Sequence, residues 1–125
     1  MPIEIIEFPL ISDPRGNLTF IENSNQIPFK INRVFWTYDL PSSSSRGGHL
    51  LQKSVEVIIA ISGSFTVEYK NEAGELNTII LNKPNQGLLI QPKTWRKLKN
   101  FSSNSISLHL ASEKFDPKEY IREND

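Results

Sequence analysis

Turn-forming clusters recur about every ten residues along this chain, and the segments between them are short runs rich in β-branched and aromatic residues. Asp13-Pro14-Arg15-Gly16-Asn17, the tetraserine after Pro41, Ser62-Gly63, Asn71 to Glu75, Asn82 to Gly87 and Asn100 to Asn104 supply the punctuation. Proline presets φ in such turns, and glycine or asparagine takes the positive φ that other residues avoid. A chain broken this often has little room for amphipathic helices. It predicts an all-β sandwich or barrel. The expected strands cover residues 3–10, 18–22, 31–40, 57–61, 64–69, 76–81, 88–90, 95–98 and 105–111, and residues 49–56 continue extended. Phe65, Val67 and Tyr69 alternate with Thr66 and Glu68, the period of a half-buried strand. Val57-Ile58-Ile59-Ala60-Ile61 has no polar interruption and predicts a buried strand. Near the end, Asp116 and Pro117 are suited to cap and open one helical turn over 116–122. With 125 residues, the expectation is a single domain, 1–125, around one core.

Charge and cysteine content narrow the partners. Lys plus Arg and Asp plus Glu each number 14, so the chain lacks the basic excess expected of a nucleic-acid binder. A local basic pocket for a phosphorylated small molecule stays open. The chain has no cysteine, which removes disulfides and thiolate metal sites and suits a reducing compartment. Residues 1–7 carry neither a basic segment nor a long apolar one, and no apolar run approaches the ~20 residues of a membrane helix. A soluble cytoplasmic protein with no membrane or nucleic-acid partner is expected.

The chemistry concentrates in residues 46–56. Arg46, Lys53, Glu56 and His49, one of two histidines in the chain, lie there beside the apolar run. Gly47, His49, Glu56 and Gly63 stand at the spacing of the first cupin motif, and Gly87, Pro92 and Asn100 at that of the second. The stretch therefore resembles a cupin, a double-stranded β-helix or jelly roll. Leu51 and Lys97 occupy two positions where metal-dependent cupins place histidines. One histidine and one glutamate leave a divalent ion under-coordinated, so no metal or other cofactor is expected.

A second resemblance runs through nearly the whole chain. Asp13-Pro14-Arg15-Gly16-Asn17-Leu18, Ile27-Pro28-Phe29, Arg33-Val34-Phe35 and Arg46-Gly47-x-His49 occur in order. Gly63-Ser64-Phe65-x-Val67, Leu81-Asn82-x-Pro84, Trp95, Leu110-Ala111-Ser112 and Tyr120-Ile121-Arg122 follow. The set resembles the dTDP-4-oxo-6-deoxyglucose 3,4-ketoisomerases, metal-independent cupins that make sugar nucleotides for surface polysaccharides. The resemblance implies a homodimer, a thymidine-diphosphate sugar as ligand, and transfer of a ketone from C4 to C3. That family's central motif reads Arg-Gly-x-His-x-His-Lys. Here Leu51 replaces the second histidine and Gln52 the lysine, with Lys53 one place further on.

Such a reaction needs a base of near-neutral pKa at the C3 proton, and a donor or cation at the developing oxyanion. His49 is the candidate base, Arg46 the charge stabiliser, and Tyr38 a candidate acid partner. Arg33 and Lys53 are candidate diphosphate contacts, because a guanidinium fork matches phosphate geometry. Glu56 is read either as a pocket residue or as part of a solvated face. Trp36 and Trp95 are read either as packing residues or as platforms for the base, and His109 as a barrel-lining or interface residue. Two other functions stay open: a sugar-nucleotide-binding cupin without catalysis, and an epimerase pairing Tyr38 with His49.

Overall fold

Each strand takes its place from which of its faces is apolar. The computed structural model describes residues 2–122. In chain order the strands are β1 (Ile3–Glu7), β2 (Leu10–Asp13), β3 (Gly16–Thr19), β4 (Arg33–Thr37), β5 (Arg46–Leu51) and β6 (Glu56–Ser62). They continue with β7 (Phe65–Lys70), β8 (Leu76–Leu81), β9 (Gln86–Ile90), β10 (Arg96–Lys99), β11 (Ile106–Ala111) and β12 (Tyr120–Arg122). Two five-stranded antiparallel sheets form, ordered β1-β9-β6-β11-β4 and β12-β5-β10-β7-β8, and β2-β3 is a separate hairpin. This is the expected all-β jelly roll.

The uninterrupted apolar run of β6 has a direct cause. Ile58 and Ala60 face the core between the sheets, with Phe65, Val67, Leu88, Leu98 and Phe101. Val57 and Ile59 face the opposite way and meet Phe8, Ile27, Leu89 and Leu110 beneath the N-terminal segments. A strand covered on both faces loses the polar alternation of a half-exposed one. Only Ile61, at the strand's far end, is exposed. Gly63 makes the following turn at φ 67°, and a Cβ there would press on the Ser102 side chain and on Ser105.

Several expected boundaries shift. The strand over 3–10 divides at Phe8-Pro9 into β1 and β2, because proline has no N–H to give to a ladder. The run over 18–22 begins earlier and stops at Thr19. The extended stretch over 49–56 breaks after Leu51. The amide of Gln52 donates to the Glu119 carbonyl, and those of Lys53 and Ser54 donate to its carboxylate. The helical turn is a 3-10 helix, Pro117–Glu119, capped by the Asp116 side chain at the Lys118 amide. It ends sooner than expected, because residues 120–122 pair with β5 as β12 and so satisfy the backbone groups of an open sheet edge.

Candidate active site

At one end of the interior the apolar filling gives way to polar side chains around a cavity of about 400 Å3. Alternation places them there. On β4, Arg33, Phe35 and Thr37 line the cavity, while Val34 and Trp36 point outward and are exposed. His49 from β5, Glu56 from β6, Arg96 from β10, His109 from β11 and Tyr120 and Arg122 from β12 complete the wall, with Arg46 at the exposed mouth. A register shift between Arg96 and Lys97 interrupts the β10–β5 ladder. Beside it Gly47 has φ 90°, and a Cβ there would stand 3.0 Å from the Arg96 carbonyl. A bulge re-aims side chains. Here it accompanies a fully buried Arg96 and a half-exposed Lys97.

Among the described residues, four guanidinium groups (Arg33, Arg46, Arg96 and Arg122) face this cavity against one carboxylate, Glu56. In a chain of zero net charge, that makes the cavity a local anion site. Arg96 is 1% exposed. Its Nη2 lies 3.3 Å from Glu56 Oε1 as an ion pair, and its Nη1 donates to the Thr94 carbonyl at 3.2 Å. The same Glu56 oxygen is 3.1 Å from His109 Nδ1, and His109 Nε2 is 2.8 Å from Ser107 Oγ. Ser107 in turn meets Thr37 Oγ1 at 2.5 Å. Burial alone would raise the Glu56 pKa, but Arg96, His109 and His49 outweigh it and hold the group at about 2.

His49 has the opposite perturbation. Burial, then the nearby charges of Arg96 and Arg122, outweigh Glu56 and lower its pKa to about 4. It is therefore a neutral imidazole at physiological pH, with a lower pKa than the near-neutral one expected from sequence and so a weaker base. Its Nδ1 is buried and makes no hydrogen bond within the described residues. The ring meets Tyr120 edge-on at 4.9 Å between centroids. The Arg33 guanidinium lies between Phe35 (4.3 Å) and Phe115 (4.8 Å), and Phe35 stacks on His109 at 4.3 Å. Arg33 Nη1 also donates to the Tyr120 hydroxyl at 2.8 Å.

Of the residues expected from sequence, His49, Arg46, Arg33 and Glu56 come together around the cavity. Tyr38, Trp36, Lys53 and Trp95 do not. Tyr38 (62% exposed) and Trp36 (57%) flank a separate shallow depression on the outer face of the sheet. Lys53 borders another depression with Asn32 and Asp116. Trp95 is a buried packing residue with Lys70 Nζ 5.2 Å from its ring centre. Leu51 is buried in the core at 2% exposure, beside the cavity rather than in its lining. Sequence reasoning missed Arg96, Tyr120 and Arg122 and gave His109 a barrel-lining or interface role. The available signal for Arg96 was its shared parity with buried Leu98 on β10, opposite to Lys97 and Lys99.

The similarity to known proteins extends over the whole chain. Residues 1–125 match the family model FdtA, described as WxcM-like, C-terminal. The chain is 34% identical over 125 residues to the TDP-4-oxo-6-deoxy-alpha-D-glucose-3,4-oxoisomerase of Aneurinibacillus thermoaerophilus, covering all of this chain and 89% of that one. Among solved structures, a histidine-to-asparagine variant of the 3,4-ketoisomerase QdtA from Thermoanaerobacterium thermosaccharolyticum was captured with TDP-4-keto-6-deoxyglucose. It superposes at TM-score 0.95 with 36% identity, over 99% of this chain and 89% of that chain. The dTDP-4-dehydrorhamnose 3,5-epimerase of Bacillus anthracis, at 14% identity and TM-score 0.81 over 94% of this chain and 76% of its own, shares the cupin-like fold alone. With a model match from first residue to last and a relative of this identity along its full length, the chain belongs to the FdtA, WxcM-like family.

Proposed function

We propose that the protein is a nucleotide-sugar 3,4-ketoisomerase that moves the ketone of a dTDP-4-oxo-6-deoxyhexose from C4 to C3. The observation that carries this reading is a neutral, half-buried His49 in a cavity that four arginines make anionophilic. In this reading His49 takes the C3 proton, and the negative charge that develops on the sugar oxygen faces buried Arg96. Preorganised cations in a dry site stabilise such charge without reorganising during the reaction. Arg46 and Arg122, exposed at the mouth, with Arg33 beside them, receive the diphosphate. Glu56 pairs with Arg96 and is itself bonded by His109, and neither needs to touch the sugar. Residues 1–125 act as one domain.

The test uses dTDP-4-oxo-6-deoxyglucose in D2O, with the C3 and C4 protons followed by NMR. Exchange and a new 3-ketosugar are expected, and His49→Asn abolishes both while dTDP binding persists. Binding of dTDP with neither exchange nor product would select a binding protein instead. The epimerase alternative depended on Tyr38, which lies outside the cavity, and is not carried further.

A homodimer in the cytoplasm completes the proposal. Val34, Trp36, Tyr38 and Ile61 expose apolar surface on the outer side of the first sheet, and Leu10, Ile11 and Leu18 do so on the β2-β3 hairpin. A patch of this kind favours burial against a second copy. A monomeric mass by light scattering would refute the dimer. No helix among the described residues is long and apolar enough to cross a membrane.

A further inference from the structure

Moving a ketone between adjacent carbons relocates two protons. One leaves C3 and arrives at C4; the other leaves the C3 hydroxyl and arrives at the C4 oxygen. A single imidazole can serve the carbons, and the oxygens require a group of their own. We propose that Tyr120 is that group, a second catalytic residue that shuttles the oxygen-bound proton while Arg33 holds its phenol. This rests on the ketoisomerase reading above and names the partner that His49 needs.

Among the described residues, the other carboxyl, imidazole and hydroxyl groups inside the cavity are already engaged. Glu56 is ionised and shared between Arg96 and His109. His109 is bonded through Nδ1 to Glu56 and through Nε2 to the Ser107 hydroxyl, so neither nitrogen faces a ligand. The Thr37 hydroxyl is paired with that of Ser107. Ser45 is an exposed residue at the rim. Tyr120 differs from all of these. Its oxygen accepts a hydrogen bond from Arg33 Nη1 at 2.8 Å, so its own O–H is left to point elsewhere. Its ring lies edge-on to His49, 4.9 Å between centroids, so the two side chains line the same cavity next to one another.

The local structure is built to keep the phenol there. Tyr120 stands opposite Leu51 in the β12–β5 ladder, so both side chains lie on the same face, with the leucine buried beneath. The preceding residue, Glu119, is buried and anchors the segment by accepting from the amides of Lys53 and Ser54 at 3.1 and 2.7 Å. Arg33 is fixed in turn between two aromatic rings, Phe35 and Phe115.

The steps balance. His49 takes the C3 proton as the Tyr120 O–H gives its proton to the C4 oxygen, leaving an enediol, an imidazolium and a phenolate beside the Arg33 cation. The phenolate then removes the proton of the C3 hydroxyl, and the imidazolium protonates C4. The ketone is now at C3, and both side chains return to their starting forms. No oxidant, reductant or other reactant enters.

The experiment compares wild type, Tyr120→Phe and His49→Asn with dTDP-4-oxo-6-deoxyglucose in D2O, scoring product formation, C3 exchange and dTDP affinity. Tyr120→Phe is expected to lower kcat by about 10²–10⁴-fold, the range for losing a general acid–base group. Its dTDP affinity and melting temperature stay near wild type, and its C3 exchange falls less than its turnover, because His49 remains. His49→Asn loses both. Difluorotyrosine at position 120, more acidic and nearly isosteric, moves the alkaline limb of the kcat profile to lower pH, which a merely structural tyrosine would not do. Wild-type kcat in Tyr120→Phe, or an unmoved limb with difluorotyrosine, overturns the proposal and leaves the ketoisomerase reading standing. Neither exchange nor product in the wild type would overturn that reading, and this one with it.

Discussion

Glu56→Gln removes one charge from a place where charge is hard to tolerate. Glu56 and Arg96 are 4% and 1% exposed, and their ion pair spans 3.3 Å. The substitution keeps the shape and leaves the guanidinium with the Thr94 carbonyl as its remaining hydrogen-bond partner among the described residues. Breaking a buried pair from one side costs about 3–5 kcal/mol, because the surviving charge stays desolvated. The titration of Glu56 leads to a similar figure. Its pKa falls from the usual 4.5 to about 2, and at 1.36 kcal/mol per pKa unit the native state favours the ionised form by about 3 kcal/mol. Since the folded value lies below the unfolded one, this stability is fully present above pH 4.5 and is lost as pH falls toward 2. With about 2.1 cal/mol/K of unfolding entropy per residue over 125 residues, each kcal/mol shifts Tm by about 4 °C. Glu56→Gln is therefore expected to melt about 10–20 °C below wild type at pH 7. Calorimetry from pH 7 to 2 should show the gap closing at the acid end. The double variant Glu56→Leu with Arg96→Met, which removes both charges, should lose less than the sum of the single substitutions. A deficit under about 1 kcal/mol, or a gap independent of pH, would refute the buried-pair account.

Two further outcomes follow from the same geometry. The pH profile of kcat/KM reports the free enzyme, and His49 must be unprotonated to act. Its lowered pKa predicts an acid limb near 4, with activity flat through neutrality; a limb near 6.5 would contradict the burial and arginine fields assigned to it. Gly63→Ala places a Cβ against Ser102 and Ser105 at φ 67°, and thermal melting should record a loss of about 1–3 kcal/mol.

The legible parts of this chain were those governed by local chemistry. The turn at Ser62-Gly63, the doubly buried β6 and the 76–81 strand needed only residue type and period. The site was half legible. His49, Arg46, Arg33 and Glu56 belong to short stretches whose composition already suggested chemistry, and they meet around one cavity. Tyr38, Trp36, Lys53 and Trp95 had equally suitable side chains, and their orientation took each of them elsewhere. Trp36 shows why. It is adjacent to Phe35, which lines the cavity, and a strand sends neighbouring side chains to opposite faces.

By itself the sequence determined an all-β chain, its turns and its family, because each depends on residue identity read in order. Tertiary structure alone decided which charges share a space. Arg96 became a core residue because a bulge accompanies its inward turn and Glu56 neutralises it there. Tyr120 reached His49 because the last strand pairs with β5, a contact between residues 71 positions apart. Long-range pairing and low-dielectric burial set those interactions, and neither has a local signature in the chain.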